Sequence, residues 1–238
     1  MLADLDPAWT ILSVPGQVHV WSFDLDSVTL DPAHPEYLAA DEMERAARFH
    51  FPRDRHRFLA GRIFAHQLLA RYLHLPIGRL RWRYSAYGRP EIDNDAGIRC
   101  NWSHSGGRIL IGFALGREIG VDIEYARLDV DFDSIARSFF APGEQAQLSG
   151  MPPAARPDAY YRCWTRKEAY IKARGMGLSL PLADFEVSLA PAGPFELLRS
   201  CDPVELHRWS FFSIDTCPGF LAAAAVEKPC LAPRVLVF

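Results

Sequence analysis

The sequence predicts an α+β fold made of two similar lobes with a cleft between them. The order strand, helices, strands occurs twice, before and after Gly116. Two long stretches carry apolar residues at helical spacing, whereas shorter stretches around them alternate apolar and polar residues. The chain has 238 residues, 49% of them hydrophobic, which is ample for a packed core. We therefore divide it into residues 1–116 and 117–238, two pseudo-symmetric halves of one compact unit.

The first half reads as one strand, two helices and then further strands. Pro52 separates the two helices and Pro76 follows the second, because proline disfavours helical backbone in the residue before it. Helices are predicted over 37–49 and 53–74, strands over 18–23, 80–84, 98–102 and 109–115, and turns over 87–90 and 103–107. Gly116 and Arg117 form a predicted hairpin turn into a strand over 119–124.

The second half is organised around one long helix that starts near Pro157 and ends at Gly175, a residue suited to a helix C-terminal cap. One face of this helix carries apolar residues that must point to the core: Tyr160, Tyr161, Trp164 and Ile171. Short helices are predicted over 132–140 and 144–148, and strands over 185–189, 204–212 and 220–226. Residues 228–238 are predicted as a tail without assigned structure.

The composition argues against several kinds of partner. The formal net charge is −3, so the chain lacks the global positive field that attracts nucleic acid or an anionic membrane. The five cysteines are scattered without metal-binding spacing, as expected for reduced thiols in the cytoplasm. The first residues include acids rather than the basic start of a signal peptide, and the apolar run 220–226 is too short to span a bilayer. We expect a soluble, cytoplasmic protein.

Three carboxylates are candidates for a metal site. Asp122 and Glu124 project from the same side of a predicted strand, about 7 Å apart, and repel each other unless a cation lies between them. Glu168 lies within the aromatic face of the long helix, where a carboxylate needs a partner. Simpler alternatives exist: the strand pair can face solvent at a sheet edge, and Glu168 can pair with Lys172 one turn away.

Arginines are concentrated at the start of the second predicted helix. Arg53, Arg55 and Arg57 occupy its opening turns, and Arg45 and Arg48 precede them. The helix dipole disfavours positive charge at this end, so the arrangement is easier to understand if an anion binds nearby. The alternative is a solvated arginine-rich face offset by neighbouring acids.

Together these features indicate phosphate-ester chemistry assisted by Mg²⁺. The three carboxylates supply the hard oxygen ligands that Mg²⁺ prefers alongside waters and substrate phosphates. Positive charge for the phosphates comes from Arg45, Arg57, Arg89, His104 and Lys172. His104 also has a structural alternative, since a histidine beside a Ser-Gly-Gly turn can bond a nearby carbonyl.

The motifs then resemble, in order and spacing, those of the 4′-phosphopantetheinyl transferases of the surfactin-synthetase type. The matching segments are YGRP (87–90), NWSHSGG (101–107), IGVDIE (119–124), FFAPGE (139–144) and WTRKEAYIKARGMGLSLPL (164–182). Residues 44–62 are similar to the family's early coenzyme A-binding region, and the resemblance covers roughly residues 41–189. WxxKEAxxK together with GxDIE is a specific combination, whereas either motif alone is weak.

The resemblance implies an activity. Members transfer the phosphopantetheine arm of coenzyme A to a serine of an apo acyl or peptidyl carrier protein and release adenosine 3′,5′-bisphosphate. The resemblance also implies a monomer of two pseudo-symmetric lobes, with coenzyme A and the active site in the cleft between them. It further implies an acidic carrier as transient partner and Mg²⁺ as cofactor, with Mn²⁺ as the alternative.

Carried over position by position, the resemblance assigns the site residues. The implied metal ligands are Asp122, Glu124 and Glu168. The implied coenzyme A-binding residues are Arg45, Arg57, Arg89, Pro90, Ser103, His104 and Lys172, of which Lys172 and His104 also stabilise the leaving group. Where other members place a further lysine near the start of the early helix, this chain has Glu42.

For the proton of the attacking serine, Glu168 is the first candidate base and Glu144 the second. Candidates for carrier docking flank the Glu144 turn: Arg137, Phe139, Phe140 and Leu148. Two other classes stay open. A metal-dependent nuclease or phosphodiesterase would need a wider basic track, and a non-catalytic coenzyme A- or carrier-binding module would not need three carboxylates.

Overall fold

The computed structural model describes residues 9, 11–30, 37–85 and 90–238. The strands are β1 (Val18–Asp24), β2 (Trp82–Tyr84), β3 (Pro90–Ile92), β4 (Ile98–Ser105), β5 (Arg108–Leu115), β6 (Ile119–Tyr125), β7 (Glu186–Val187), β8 (Leu197–Arg199), β9 (Trp209–Ser213), β10 (Phe220–Glu227) and β11 (Arg234–Val237). The helices are α1 (Ala40–Ala47), α2 (Pro52–Tyr72), α3 (Phe132–Phe139), α4 (Pro142–Gly150), α5 (Arg156–Arg174) and α6 (Glu205–Arg208). The predicted α+β class is confirmed.

The two main sheets have the same internal order. In the first sheet β1 pairs with β5, which pairs with β4, and in the second β6 pairs with β10, which pairs with β9. Leaving β11 aside, each sheet therefore has the same order: the first strand of the half lies at one side, the last strand of the half pairs with it, and the second-to-last strand follows. Each half also contains a long helix and a small two-stranded sheet, β2–β3 in the first half and β7–β8 in the second.

The sheets pack face to face between the two long helices. Because side chains alternate along a strand, each sheet has two apolar faces. Trp21 and Phe23 of β1 pack with α2, whereas Val18 and Val20 join the core between the sheets. In the second sheet Ala223 faces α5. The resulting order of layers is α2, first sheet, second sheet, α5.

Glycine permits two close approaches in this stack. A Cβ at Gly112 of β5 would lie 2.7 Å from Val121 Cγ1 of β6, so the sheets meet closely there. A Cβ at Gly120 would lie 2.1 Å from the backbone oxygen of Ala169 and 2.3 Å from the nitrogen of Ala173 in α5. Gly120 therefore lets α5 lie directly on β6, next to the predicted acidic residues of that strand.

The long helices have the ends that the sequence predicts. Pro52 occupies the first turn of α2, where its missing N–H costs nothing. Gly175 caps α5 in the left-handed conformation, with φ of 67°. Within the described ranges, no helix combines the length and apolar character needed to cross a membrane.

Three predicted connections differ from the structure. Residues 103–107 were expected as a turn, but β4 continues to Ser105, and its residues pair with β5 up to Arg108. The expected hairpin between β5 and β6 is wrong, because β6 pairs with β10 and stacks against β5 instead. The predicted strand 204–212 begins with α6, and only residues from Trp209 onward are extended.

The C-terminal segment belongs to the first sheet. Arg234–Val237 form β11, which pairs in parallel with β1. This strand lies within the range predicted for the second lobe, so the division at residue 116 does not hold for the last strand. Pairing with β11 satisfies backbone groups on the outer edge of β1, which would otherwise be open.

We expect Gly120→Ala to lower the free energy of unfolding by about 3 kcal/mol, because the added methyl group overlaps the backbone of α5. Urea denaturation measures the change. Gly150→Ala is the matched control, since a Cβ there meets no atom within 4 Å and should leave stability unchanged or slightly higher. Equal stability of the two variants would contradict the close approach of α5 to β6.

Candidate active site

A cavity of about 410 Å³ opens where the two lobes meet. The first lobe contributes residues of α1, α2, β4 and β5, and the second contributes residues of β6 and α5. The lining residues are Arg45, Phe58, Gly61, Arg62, Trp102, Ser103, His104, Ile109, Asp122, Glu124, Trp164, Glu168 and Lys172. Acidic side chains come from the second lobe, and both arginines come from the first.

Asp122 is the most deeply placed acid of the cavity, with only 2% of its surface exposed. Its Oδ1 accepts hydrogen bonds from Lys172 Nζ at 2.6 Å and from Ser103 Oγ at 2.8 Å. Lys172 Nζ also donates to Ser103 Oγ at 2.9 Å. Burial raises the pKa of Asp122, and the Lys172 ammonium and the Ser103 hydroxyl oppose that shift. This triangle joins β4 of the first lobe to β6 and α5 of the second.

Glu124 is held by the next hydroxyl along β4. Ser105 Oγ donates to its Oε2 at 2.7 Å and accepts from the backbone nitrogen of Tyr125 at 3.1 Å. Burial raises the pKa of Glu124, and the charge of Asp122 adds to the rise. The alternating Ser103 and Ser105 therefore match the alternating acids of β6, one hydroxyl to each carboxylate.

Glu168 enters the cavity from α5. Burial, followed by the negative charges of Asp122 and Glu124, raises its pKa to about 7, and the charge of Lys172 acts in the opposite direction. A carboxyl with this pKa can hold or release a proton near neutral pH. The three acids destabilise one another's charged forms, which is the electrostatic setting in which a cation binds.

The donor set fits a hard divalent cation. Asp122 Oδ2 is buried and has no hydrogen-bond partner, so one oxygen of the innermost acid lacks a donor. Within the described ranges, no three His, Cys, Asp or Glu side chains already stand close enough together to enclose a metal. Mg²⁺ does not require such a cage, since it binds through a few carboxylates together with waters and substrate phosphates.

Two arginines of the first lobe, Arg45 and Arg62, also line the cavity. The guanidinium carbons of Arg45 and Arg62 lie 5.3 and 5.4 Å from the centroid of the Phe58 ring. Arg62 also lies 5.0 Å from the centroid of Trp102, and its Nε is 3.4 Å from Glu42 Oε1.

The structure brings most of the predicted site residues together. Those that line the cavity are Arg45, Ser103, His104, Asp122, Glu124, Glu168 and Lys172. Arg57 does not line it, because its Nε and Nη2 bind Asp26 at 2.7 and 2.5 Å. Arg89 lies outside the described residues. Pro90 pairs with Tyr84 through the backbone of β3 and β2.

Glu144, the second candidate base, lies outside the cavity. Its side chain is fully buried and its Oε2 is 2.7 Å from Lys167 Nζ. Its Oε2 accepts from the backbone nitrogen of Ala141 at 2.9 Å, and its Oε1 accepts from that of Val187 at 2.8 Å. Burial raises the pKa of Glu144 and lowers that of Lys167. With no open approach to either oxygen, Glu144 cannot reach a substrate hydroxyl, and we remove it from the candidate bases.

Two of the residues suggested for carrier docking are also unavailable. Phe140 and Leu148 are buried in the core beneath α5, with 1% and 3% of their surfaces exposed. Arg137 and Phe139 are exposed. Only Arg137 and Phe139, both on α3, therefore remain available for docking.

Sequence reasoning missed three residues that build the cavity. Ser105 has a usable signal, because it lies two residues after Ser103, just as Glu124 lies two residues after Asp122. Arg62 and Trp102 have no comparable signal in the sequence, since the contact between their side chains depends on how α2 crosses β4.

The fold and the cavity define a class: an α+β enzyme of two similar lobes whose shared cavity contains carboxylates from one lobe and arginines from the other, as suits a phosphate-ester substrate. Comparison with known proteins specifies the family. Residues 118–226 match the 4′-phosphopantetheinyl transferase superfamily, and residues 33–112 match the family described as 4′-phosphopantetheinyl transferase, N-terminal.

Two curated relatives match most of the chain. The 4′-phosphopantetheinyl transferase HetI of Nostoc sp. is 35% identical over 226 residues, which cover 92% of this chain and 91% of that protein. The 4′-phosphopantetheinyl transferase Sfp of Bacillus subtilis is 30% identical over 195 residues, covering 81% and 84%. The chain therefore belongs to the 4′-phosphopantetheinyl transferase superfamily and is a transferase, which confirms the resemblance of the motifs.

The chain is also similar to a solved structure, that of a holo-(acyl-carrier-protein) synthase from Bacillus anthracis in complex with CoA (3′,5′-ADP). It aligns with a TM-score of 0.37 and 24% identity, covering 46% of this chain and 94% of that chain.

We expect Glu168→Gln to stabilise the protein at pH 8 in buffer containing EDTA. The folded pKa of about 7 lies above the ordinary value of 4.5, so the folded state binds more protons between these values. Stability contributed by this group therefore falls as the pH rises from 4.5 to 7, by up to about 3 kcal/mol. Removing the charge should recover that amount at pH 8 and almost nothing at pH 4.

Urea denaturation at both pH values measures the effect. Glu196→Gln, at an exposed position, is the control and should change stability at neither pH. A Glu168→Gln variant with the same pH dependence as the wild type would show that Glu168 is not held in a charge-destabilising site.

Proposed function

We propose that this protein transfers 4′-phosphopantetheine from coenzyme A to a serine hydroxyl of an apo acyl or peptidyl carrier protein, with release of adenosine 3′,5′-bisphosphate and dependence on Mg²⁺. One observation carries the proposal: three carboxylates of the second lobe and two arginines of the first line a single cavity. Relatives named as 4′-phosphopantetheinyl transferases support the transferred group.

The metal would be held by Asp122, Glu124 and Glu168. The orphaned Oδ2 of Asp122 supports this assignment, as do the raised pKa values of all three carboxyls. When bound, Mg²⁺ neutralises charge on the pyrophosphate of coenzyme A. Mn²⁺ prefers similar oxygen ligands and is the alternative.

The reaction exchanges one phosphorus–oxygen bond for another. The serine oxygen of the carrier forms a bond to the phosphorus that bears pantetheine, and the bond to the bridging pyrophosphate oxygen breaks. The electron pair of that bond leaves with adenosine 3′,5′-bisphosphate. Glu168 accepts the serine proton at its carboxylate, for which a pKa of about 7 is well matched to neutral pH.

Hydrogen-bond donors of the cavity stabilise the leaving phosphate. Lys172 and His104 line the same cavity, and Lys172 is fixed by Ser103 and Asp122. Because its ammonium is already oriented before the substrate arrives, little reorganisation accompanies the growth of charge on the leaving group. Arg45, which lines the same cavity, supplies a further cation.

The carrier protein docks, in this proposal, on the exposed surface of α3. Arg137 offers positive charge to an acidic carrier, and Phe139, with 46% of its surface exposed, offers apolar contact. Phe139 packs edge-on against Trp164 of the cavity, with ring centroids 6.0 Å apart. A single chain contributes both lobes of the cavity, so a monomer is sufficient for the reaction.

We expect Asp122→Asn and Glu168→Gln each to reduce transfer at least about 100-fold, because each removes a carboxylate that would hold the metal, and the metal neutralises the pyrophosphate. The assay incubates the protein with coenzyme A, Mg²⁺ and an apo carrier domain and measures the carrier mass. Asp129→Asn, an exposed acid paired with Arg127, is the control and should keep wild-type turnover. Wild-type turnover by either cavity variant would sink the assignment, and nucleic-acid cleavage without carrier modification would favour a nuclease.

We expect Arg137→Glu to raise the KM for the carrier about tenfold while leaving the Kd for coenzyme A unchanged, because charge repulsion at a rim affects encounter with an acidic partner. Arg79→Glu makes the same charge change at an exposed position of the first lobe and should leave both constants unchanged. Equal carrier kinetics for the two variants would remove Arg137 from the docking surface.

A further inference from the structure

A second cavity, of about 440 Å³, lies beside α5. The helix contributes Arg162, Thr165 and Arg166 to its lining, and residues 213–218 and 220–222 contribute the rest. Those residues form the end of β9, the connection to β10 and the beginning of β10. Among the described residues, the two cavities have no lining residue in common. The transfer reaction therefore assigns no role to the second cavity.

Helix geometry separates the two cavities. Trp164 and Glu168 line the first cavity, whereas Arg162 and Arg166, each two residues earlier, line the second. Because successive residues of a helix are rotated by about 100°, the two pairs are about 200° apart around the axis. The two cavities thus lie on nearly opposite sides of α5.

Arg166 keeps its charge in a buried position. Its side chain is in a residue only 1% exposed, and its Nη1 donates to the backbone oxygen of Ser188 at 2.5 Å. Its Nη2 donates to the backbone oxygen of Ala190 at 2.9 Å and to Ser213 Oγ at 3.2 Å. Burial, followed by the positive charge of Arg162, lowers the pKa of Arg166 to about 10. The three acceptors are carbonyl and hydroxyl oxygens, so the charge is hydrogen-bonded but not neutralised.

Arg162 has donors that the fold does not use. Its Nε donates to the backbone oxygen of Leu189 at 3.2 Å, and within the described part of the chain its two terminal nitrogens make no hydrogen bond. Burial lowers the pKa of Arg162, and the charge of Asp158 acts in the opposite direction. Asp158 is exposed near the start of α5 and does not line the cavity. Both terminal nitrogens of Arg162 are therefore available to a ligand.

A hydroxyl of the same cavity also lacks a partner. Thr216 Oγ1 is buried, and among the described residues it forms no hydrogen bond. A buried hydroxyl without a partner is rare because it loses its hydrogen bonds to water. An acceptor atom placed in the cavity would satisfy it.

The rest of the lining is mostly apolar, and it includes one exposed acid. Apolar contact is available from Ile214, Pro218, Phe220 and Leu221. Asp215 also lines the cavity, but its charge is not among the causes of the pKa shift of either arginine. The positive charge of the arginines is thus left in place beside an apolar surface.

We propose that the second cavity binds a small organic carboxylate, whose oxygens accept from Arg162 and Thr216 and whose apolar group packs against Phe220 and Leu221. Two carboxylate oxygens match the two terminal nitrogens of a guanidinium. One negative charge also suits a site where one arginine has donors available and the other is already occupied. A phosphate would bring a second charge next to Asp215 without a further cation to receive it.

The test compares phenylacetate with phenylacetamide, which has nearly the same shape but no charge, and with inorganic phosphate. Calorimetry measures the Kd of each for the wild type, Arg162→Gln and Thr216→Val. Arg45→Gln makes the same charge change in the first cavity. Arg48→Gln makes it at an exposed position outside both cavities, where the arginine lies 3.9 Å from Glu44.

We expect the wild type to bind phenylacetate at least about tenfold more tightly than phenylacetamide or phosphate. Arg162→Gln should weaken phenylacetate at least about tenfold and change phenylacetamide less than about twofold. Arg45→Gln and Arg48→Gln should keep the wild-type affinity for phenylacetate. No measurable binding of phenylacetate to the wild type, or an equal loss with Arg45→Gln, would overturn the proposal. Phosphate that bound as tightly as phenylacetate would overturn the assignment of a carboxylate.

Thr216→Val separates a ligand-binding hydroxyl from a structural one. Because the variant removes a buried hydroxyl without a partner, we expect the empty protein to unfold at a higher urea concentration than the wild type. The same variant should weaken phenylacetate about three- to tenfold. Lower stability with unchanged affinity would show that the hydroxyl serves the fold, which would contradict the proposed site. Neither result bears on the transfer reaction, which uses the first cavity.

Discussion

The buried carboxylate of Asp122 is the contact on which the site depends. Its Oδ1 binds Ser103 from the first lobe and Lys172 from α5, so one oxygen holds three elements together. A buried charge is tolerated only when its partners are fixed, and here they are fixed by the pairing of β4 with β5 and by the contact of α5 with β6 at Gly120. The other oxygen, Oδ2, is the one that lacks a partner. One oxygen of Asp122 thus stabilises the fold, and the other is left without a hydrogen-bond partner in the cavity.

Neighbouring positions on α5 divide these two tasks. Lys167 points into the core, where its Nζ donates to the backbone oxygens of Leu182 and Phe185 and pairs with Glu144. Glu168, one residue later, is rotated by about 100° and lines the cavity. The internal ion pair fixes the helix against the segments around it, and that rigidity orients the acid that lines the cavity. Lys167 and Glu168 are therefore adjacent in sequence, but the first stabilises the core and the second lines the cavity.

The alternation of β6 was sufficient to place Asp122 and Glu124 on one side, because the period of a strand is independent of the rest of the fold. The helical face that contains Glu168 follows from local spacing in the same way. The sequence could not separate Arg57 from Arg62, since both occupy one helix and only the tertiary position of Asp26 removes Arg57 from the cavity. Nor could it show that Glu144 is sealed in the core, because its acceptors are filled by residues as distant as Val187. The periodicity of a strand or helix predicts which residues share a face, whereas the packing of distant segments determines which residues contact that face.

The acids of the cavity carry an energetic cost that the fold must tolerate. Burial and mutual repulsion raise the pKa of Glu168 to about 7, so ionisation at neutral pH opposes folding. The cost is concentrated where β4, β6 and α5 converge, and it falls when positive charge enters the cavity. A cation that binds only the folded chain stabilises it by mass action. The charge arrangement suited to phosphate chemistry is then the one that couples ligand binding to the stability of the whole chain.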